Sequence, residues 1–319
     1  MTLPVHYKSL PATCSVPQII QSSGEHASRR FIEFFAASIR NRGTREVYLH
    51  AATDFLNWCD QHQLTLTDIA PLVVATYIEQ IGQRLSPPTV KLRLAAIRSL
   101  MDFLVIGQVL PFNPAASVRG PKHVVKKGKT PVLSGAEAKQ LIESINVQTI
   151  TGLRDRAIIG VMVYSFARVS ATLGMNCEDY FQQGRRMWFR LHEKGGKYHE
   201  VPVHHTAEEY VDAYLTAACP LDKSTPLFRT IGPNKTLTER RLHRTDVLRM
   251  IKKRAKFAGL PDSTCCHSWR ATGITNYLQN GGTLEHAMQI ACHESARTTK
   301  LYDRTNDAVS LDEIERIRL

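Results

Sequence analysis

One stretch near the C-terminus decides both the fold class and the chemistry: His267-Ser-Trp-Arg270, then His293-Glu-Ser, then Tyr302. His267 and Arg270 are 3 residues apart, and His293 follows the arginine by 23 residues. Tyr302 comes 9 residues later. If the first segment is helical, its histidine and arginine share one face. An arginine that binds phosphate oxygens, histidines that exchange protons and a nucleophilic phenol are together what metal-free attack on a phosphodiester requires.

The bulk composition is that of an ordinary globular protein. The 319 residues are enough for two domains with separate cores, and 43% are hydrophobic against 22% charged. No apolar run approaches the length of a membrane span and the first residues lack a signal pattern, so we expect a cytoplasmic protein without membrane contact. Seven cysteines without a C-x-x-C pair indicate reduced thiols, not a disulfide framework or a zinc site.

The net charge of +12 is concentrated in the second part of the chain. Residues 1–118 carry 10 Lys and Arg against 8 Asp and Glu, whereas residues 119–319 carry 31 against 21. An excess confined to one region favours a polyanionic partner such as nucleic acid. The sequence contains no motif of P-loop nucleotide hydrolysis, of H-E-x-x-H zinc proteases or of dinucleotide binding.

The first part of the chain predicts a small helical bundle. Residues 1–25 contain prolines and little apolar periodicity, which indicates an N-terminal arm with at most a short helix. Residues 26–118 predict four helices, with caps at Thr44 and Ser86 and one helix that begins near Pro71.

The last of these helices and the segment after it are basic. Lys91, Arg93 and Arg98 fit either a helix that lies on a phosphate backbone or a solvated face of the bundle. Residues 119–131 are rich in proline, glycine and lysine, which predicts a basic linker. Such a linker either crosses a DNA groove or serves as a hinge.

Residues 132–319 predict a second, α-rich domain that begins with a capping box at Ser134 and Glu137. An apolar run over residues 157–166 is followed by Arg168. An arginine behind so apolar a run is partly buried and needs an anionic partner. It therefore forms either an internal ion pair or part of a catalytic site.

A β-hairpin is predicted where two alternating segments, 187–192 and 198–203, flank Glu193-Lys194-Gly-Gly-Lys197. The two strands would form a small antiparallel sheet. A lysine at the tip either protects the sheet edge from aggregation or reaches outward as a mobile arm.

The rest of the chain is predicted to be helical, with one strongly basic segment. After a helix capped by Thr206, residues 235–256 hold nine Lys and Arg and an apolar stripe of Leu248, Ile251, Ala255 and Ala258. This helix is the strongest candidate for DNA contact, with a solvated basic face as the alternative.

Four more helices are expected after the basic segment. The first runs from His267 to Asn280. The other three begin at an N-cap, at Thr283, at Ser295 and at the capping box of Ser310. His293 would lie in a turn, and the third of these helices would carry Tyr302. The last helix is too short to be stable alone and must dock on another surface.

The order Arg168, hairpin lysine, His267, Arg270, His293 and Tyr302 closely resembles the tyrosine recombinases, the phage-integrase family. The matching motifs cover roughly residues 150–305. The resemblance implies a mainly α fold with two domains. It places an N-terminal four-helix core-binding (SAM-like) DNA-binding domain at residues 26–118, and an α-rich catalytic domain with a small antiparallel β-sheet at residues 132–319.

By this resemblance the protein is a site-specific recombinase that cuts and rejoins DNA. Tyr302 would attack the scissile phosphate and form a 3′-phosphotyrosyl link. Arg168 and Arg270 would neutralise the phosphorane, and His293 would donate a hydrogen bond to it. One position departs from the family: an acid often stands three residues after the first arginine, where this chain has Ala171.

The same resemblance assigns the proton transfers and the partners. The general acid would be Lys194, because the family's lysine precedes the hairpin glycine, with Lys197 as the alternate. His267 would manage the proton of the phenol. The resemblance implies no cofactor and no metal, double-stranded DNA as substrate, and self-association into a tetramer on two DNA sites. Residues 310–319 would dock on their own domain or on a neighbouring protomer.

Two alternative functions fit parts of the pattern. A type IB topoisomerase uses a similar site but relaxes supercoils without a defined sequence. A DNA-binding regulator that has lost strand transfer would fit the missing acid at Ala171. The two-domain length and the linker favour the recombinase.

Overall fold

The computed structural model describes residues 15–123, 128, 130–193, 196–220 and 222–303, and of Lys197 the backbone alone. Lys194 and the helix expected after Ser310 lie outside the described residues. The chain divides into two compact units, Met1–Val124 and Val125–Leu319. This division falls inside the stretch expected to be the linker, whose bounds stay a prediction. No helix within the described ranges has the length and apolar character needed to cross a bilayer.

Among residues 15–123, the N-terminal unit has the four expected helices, preceded by one short helix, which confirms the predicted fold of this part. In order they are α1 (Gln18–Ser22), α2 (Glu25–Glu33, continued by a π-helical turn at Phe34–Ser38), α3 (Arg42–Gln61), α4 (Pro71–Gly82) and α5 (Pro87–Ile106). Ser86 is the N-cap of α5, as predicted. The cap predicted for α3 was wrong. Asn41 is the N-cap, and its side chain accepts a 3.1 Å hydrogen bond from the backbone N–H of Thr44.

Aromatic rings fill the core of the N-terminal unit. Phe31 and Phe35 meet edge to face with 5.1 Å between ring centroids, and Phe55 and Tyr77 do so at 5.0 Å. All four side chains are fully buried. Edge-to-face pairs of this kind add a directional term to the burial of apolar area.

Two of the three basic residues of α5 have partners inside this unit. Arg93 forms an ion pair with Asp54 at 2.6 Å, and Arg98 donates to the Val118 carbonyl at 2.7 Å. Both arginines therefore hold the bundle together. Lys91 is the exposed member of the three.

Within the residues that the structure describes, the C-terminal unit is also mainly helical, with two small antiparallel sheets where one was predicted. Its helices are α6 (Gly135–Glu143), α7 (Ile150–Tyr164), α8 (Val169–Gly174), α9 (His205–Ala218), α10 (Arg244–Phe257), α11 (Cys266–Gln279), α12 (Leu284–Ile290) and α13 (Ala296–Lys300). Its strands are β1 (Tyr180–Gln183), β2 (Arg186–Glu193), β3 (Lys197–Pro202), β4 (Arg229–Ile231) and β5 (Leu237–Arg241). The first sheet has the order β1-β2-β3, and β4 pairs with β5. The predicted hairpin is β2–β3, in which Glu193 is paired with Lys197.

Three local predictions in this unit need correction. The basic segment is not one helix, because its first part is strand β5 and α10 begins at Arg244. Leu248 is 40% exposed, and the buried stripe contains Val247 in its place. Helix α9 is capped by His204, whose Nδ1 accepts from the backbone N–H of Thr206 at 3.2 Å. The capping box at Ser134 is confirmed.

Candidate active site

Helix α11 and the segment after α13 bring the phenol of Tyr302 to the ring of His267. Tyr302 lies beyond the end of α13, not within it as predicted, and its backbone N–H donates to the Thr299 carbonyl at 2.9 Å. Its own carbonyl accepts a 2.9 Å hydrogen bond from the Thr275 hydroxyl. His267 is in the first turn of α11, and its Nε2 is 2.9 Å from the Tyr302 hydroxyl. The phenol and a proton acceptor are therefore in direct contact.

The His267 ring is set up to accept a proton. Burial lowers its pKa, and the charges of Arg270 and Arg168 lower it further. Its neutral form is consequently favoured near pH 7. A neutral imidazole next to a phenol is the arrangement that general-base activation of the hydroxyl requires.

His293 occupies the turn between α12 and α13, where it is fixed from both sides. Its Nε2 is 2.7 Å from Nη2 of Arg270, and its Nδ1 is 2.9 Å from the Thr299 hydroxyl. Its ring also stacks on Tyr302, with an interplanar angle of 9°. Since a guanidinium nitrogen only donates, Nε2 accepts and Nδ1–H donates to the threonine. Burial, then the charges of Arg270, Arg168 and His267, lower the pKa of His293 to about 3.

Arg270 is the most enclosed charged group of the cluster, with 1% of its surface exposed. One guanidinium nitrogen, Nη1, donates to the Phe166 carbonyl, and Nη2 donates to the Ala291 carbonyl at 2.6 Å as well as to His293. Burial and the charge of Arg168 lower its pKa to about 10, against the opposite effect of Glu193. The guanidinium is therefore positioned and desolvated by the protein itself.

The backbone on both sides of Arg270 is strained. Phe166 has φ 53° and supplies one of the carbonyls, and Cys292 has φ 47° and follows the residue that supplies the other. Non-glycine residues in this left-handed region cost free energy and persist where the surroundings fix them. Here they turn two carbonyls toward one guanidinium.

A glycine allows the turn before α8 to approach α11. A Cβ at Gly273 would lie 2.1 Å from the Val163 carbonyl oxygen and 2.9 Å from the Phe166 ring. Gly273 is one helical turn after Arg270. The close contact of α7 with α11 at this point therefore brings the turn that contains Phe166 and Arg168 to Arg270.

Arg168 is the N-cap residue of α8, and its side chain is 35% exposed. Its Nη1 donates to the carboxylate of Glu193, the last residue of β2, whose side chain is 3% exposed. The anionic partner expected for Arg168 therefore comes from the hairpin. Ala171, where the family often has an acid, is fully buried in the core.

Of the six predicted site residues, His267 and Tyr302 form one hydrogen-bonded pair and Arg270 and His293 form another, and the stacked rings of His293 and Tyr302 join the two pairs. Arg168 lies close enough for its charge to act on the cluster. Sequence reasoning missed Glu193 and Thr299. The absence of an acid at Ala171 was a signal for the first. No local spacing signalled the second.

The basic helix α10 offers an exposed cationic surface in the same unit. Lys253 and Lys256 are exposed, whereas Arg249 pairs with Asp246 at 2.8 Å and Arg254 pairs with Asp155 at 2.8 Å. Lys253, Lys256 and Arg244, which is also exposed, are therefore available to an external polyanion.

Comparison with known proteins identifies both units. Residues 131–308 match the model of the phage integrase family, and residues 30–107 match its N-terminal SAM-like domain. A tyrosine recombinase XerC from Thermodesulfovibrio yellowstonii is 29% identical over 269 residues, covering 81% of this chain and 84% of the relative. The XerC of Chlamydia muridarum is 30% identical over 229 residues, covering 70% of this chain and 69% of the relative.

Solved structures share the fold at low sequence identity. The XerH recombinase bound to a palindromic difH substrate superimposes with a TM-score of 0.69 at 18% identity, covering 85% of this chain and 78% of XerH. A lambda integrase dimer bound to a COC′ core site gives a TM-score of 0.67 at 14% identity, covering 89% and 79% of the two chains. The chain therefore belongs to the phage integrase family and is a site-specific recombinase of the tyrosine class.

Proposed function

We propose that this protein cuts and rejoins double-stranded DNA at a specific site through a covalent 3′-phosphotyrosyl intermediate. The observation that carries the proposal is the contact between the Tyr302 hydroxyl and His267 Nε2 at 2.9 Å, beside a desolvated arginine. In this scheme the phenolic oxygen attacks phosphorus, and its proton passes to His267. The bond from phosphorus to the 5′ oxygen breaks, and Lys194 supplies the proton to that oxygen. A 5′ hydroxyl from another strand then attacks the phosphotyrosine and releases Tyr302.

Arg270 and Arg168 would bind the non-bridging oxygens of the scissile phosphate. The guanidinium of Arg270, with its pKa of about 10, is charged near pH 7, and a fixed positive charge is worth more in a desolvated site than in water. Because the phosphotyrosyl bond conserves the energy of the phosphodiester, the proposed reaction needs neither ATP nor a metal ion.

His293 would change its hydrogen bonding when DNA arrives. In the free site Nε2 accepts from Arg270 and Nδ1–H donates to Thr299. To donate to a phosphate oxygen through Nε2, the ring must carry its proton on that nitrogen. The negative charge of the phosphate would favour this change, because it draws the Arg270 donor away and stabilises an added proton.

The proposed assembly is a tetramer on two DNA sites. XerH and lambda integrase were solved on DNA, the latter as a dimer. The 17 residues after Tyr302 are the proposed exchanged element. Deletion of residues 310–319 should weaken pairing of two sites more than binding to one site in a gel-shift comparison, and an equal loss of both would contradict this assignment. Integration, excision or resolution of a mobile element are the reactions that such an assembly would perform.

A denaturing gel tests the covalent step. The protein is mixed with DNA that flanks its own gene, nicked so that the fragment with the new 5′ hydroxyl diffuses away after cleavage. The wild type should accumulate a covalent adduct, and Tyr302→Phe should form none. Tyr198→Phe is the matched control, because Tyr198 is 69% exposed on β3 and lies outside the cluster.

The same substrates separate the rival functions. Relaxation of plasmids that lack the site would indicate a topoisomerase. Site-specific binding without any adduct would indicate a regulator. The regulator rested on the missing acid at Ala171, and Glu193 supplies a carboxylate to Arg168 in its place.

A further inference from the structure

Glu193 is a buried carboxylate inside a cluster that is otherwise cationic or neutral. Its side chain is 3% exposed and pairs with Arg168. It also counteracts the fall in the pKa of Arg270, which burial and the charge of Arg168 produce. A carboxylate at this position repels an incoming phosphate, so its presence is unfavourable for ground-state binding of DNA.

The ion pair between Glu193 and Arg168 compensates for this repulsion by ordering the long arginine side chain. Arg168 is 35% exposed, and a partly solvated arginine samples many rotamers unless a partner fixes it. The helix that follows offers no such partner, because Ala171 stands one turn along α8 and is buried. The carboxylate that holds Arg168 comes instead from the end of β2, 25 positions further along the chain.

The location of Glu193 links two parts of the site. Glu193 is paired with Lys197 across the hairpin, and the next residue in sequence is Lys194. Behind it, Leu191 is fully buried on β2, which anchors this end of the strand in the core. One ion pair therefore joins the turn that carries Arg168 to the end of strand β2.

We propose that Glu193 is a positioning residue for strand transfer: it orders the Arg168 guanidinium for the phosphate and holds it to the end of strand β2. This inference rests on the proposed function for its effect on cleavage. The ordering of Arg168 by Glu193 is measurable without DNA.

The first arm of the test uses the full-length protein alone. The ¹⁵N NMR signal of the Arg168 guanidinium, assigned by its absence in Arg168→Lys, is compared in the wild type and in Glu193→Gln. Glu200→Gln is the matched control, because Glu200 pairs with Arg190 at 2.9 Å on the same sheet but is exposed. We expect a slowly exchanging Arg168 signal in the wild type and the control, and its loss in Glu193→Gln.

The second arm measures DNA affinity by gel shift and the rate of adduct formation on the nicked site. Glu193→Gln should bind DNA as tightly as the wild type or more tightly, and should cleave it about 10- to 100-fold more slowly. This split distinguishes positioning from a folding defect, which weakens binding and cleavage together. Glu193→Asp withdraws the carboxylate by one methylene, so it should also keep its DNA affinity and cleave more slowly, but with a smaller loss of rate. This variant replaces Glu193→Gln if Glu193→Gln does not fold.

An Arg168 signal that stays ordered in both Glu193 variants overturns the proposal, and so does wild-type cleavage by them. If the wild type itself forms no adduct on any site, the recombinase function fails. In that case the first arm still decides whether Glu193 orders Arg168.

Discussion

The two arginines of the site are held in opposite ways. Arg270 is almost completely enclosed, and backbone carbonyls of Phe166 and Ala291 fix its guanidinium. Arg168 is partly exposed, and one carboxylate from the hairpin holds it. The carbonyls are main-chain groups of two turns, whereas the carboxylate is the end of one side chain. Arg270 is therefore part of the core, and the position of Arg168 depends on one side-chain partner.

The largest expected difference is between lysine substitutions at the two arginines. Arg270→Lys and Arg168→Lys should both slow cleavage by about 100- to 1000-fold, because each removes a fork of donors aimed at the phosphate. Arg270→Lys should also lower the free energy of unfolding by about 2–3 kcal/mol, since a lysine cannot satisfy both carbonyls. Arg168→Lys should change it by less than about 1 kcal/mol. Urea unfolding of the two variants is the measurement, and equal losses would show that the comparison is wrong.

The approach of α7 to α11 is tested by filling the space at Gly273. Gly273→Ala places a Cβ 2.1 Å from the Val163 carbonyl oxygen and should destabilise the protein by about 1–3 kcal/mol. Cleavage should fall as well, because the turn before Arg168 is pushed away from Arg270. Gly135→Ala is the control, since no atom lies within 4 Å of its added Cβ. Thermal unfolding that is unchanged by Gly273→Ala would refute the close contact.

The neutral histidines predict a specific dependence on pH. Burial and the charges of the arginines lower the pKa values of His267 and His293, and that of His293 falls to about 3. Below pH about 6.5 the unfolded chain therefore binds more protons than the folded chain. Stability is therefore complete above that pH and decreases as the pH falls toward the folded pKa, by on the order of 1 kcal/mol per pH unit. Urea unfolding at pH 7.5 and 5.5 measures this loss. In His293→Asn the loss should be smaller, and an identical loss would show that His293 does not contribute.

The smallest expected effect concerns the threonine behind His293. Thr299→Val removes the acceptor for Nδ1–H and should slow cleavage by about fivefold, the equivalent of one neutral hydrogen bond. Thr299→Ser keeps the hydroxyl and should behave as the wild type. The ring nitrogen shifts of His293 in ¹⁵N NMR report the tautomer directly. An unchanged tautomer in Thr299→Val would mean that Arg270 alone determines it.

Much of the fold was predictable because it depends on local spacing. Apolar periodicity predicted the four helices of the N-terminal bundle, and alternation with Gly-Gly predicted the hairpin. The N-cap of a helix was harder to predict. Asn41 and Thr44 are both good capping residues, and the point at which the backbone becomes helical makes Asn41 the cap of α3. Strand β5 was missed since a basic segment with apolar residues at mixed spacing fits a helix equally well.

The site was predictable to the extent that its residues follow a fixed order. The resemblance placed an acid three residues after Arg168, where this chain has Ala171, so the sequence left the partner of Arg168 open. It is supplied by a strand that is adjacent in space, and the register of β2 and β3 decides that Glu193 faces inward. A pairing between distant positions leaves no periodic trace in a single sequence. The absence of an acid at Ala171 can be read from the sequence, whereas the pairing of Glu193 with Arg168 cannot.

The left-handed backbone at Cys292 and Phe166 has a practical consequence for protein engineering. Glycine at 292 would remove a steric penalty of about 1–2 kcal/mol from the folded state. Part of this gain would be lost, because glycine has more conformational entropy in the unfolded chain. Cys292→Gly is therefore a first choice for a more heat-resistant protein. The same change at 166 would delete a buried ring and cost about 3–5 kcal/mol. Two residues with similar φ thus offer a designer opposite results, because the Cys292 side chain is small and half-buried whereas the Phe166 ring is part of the core.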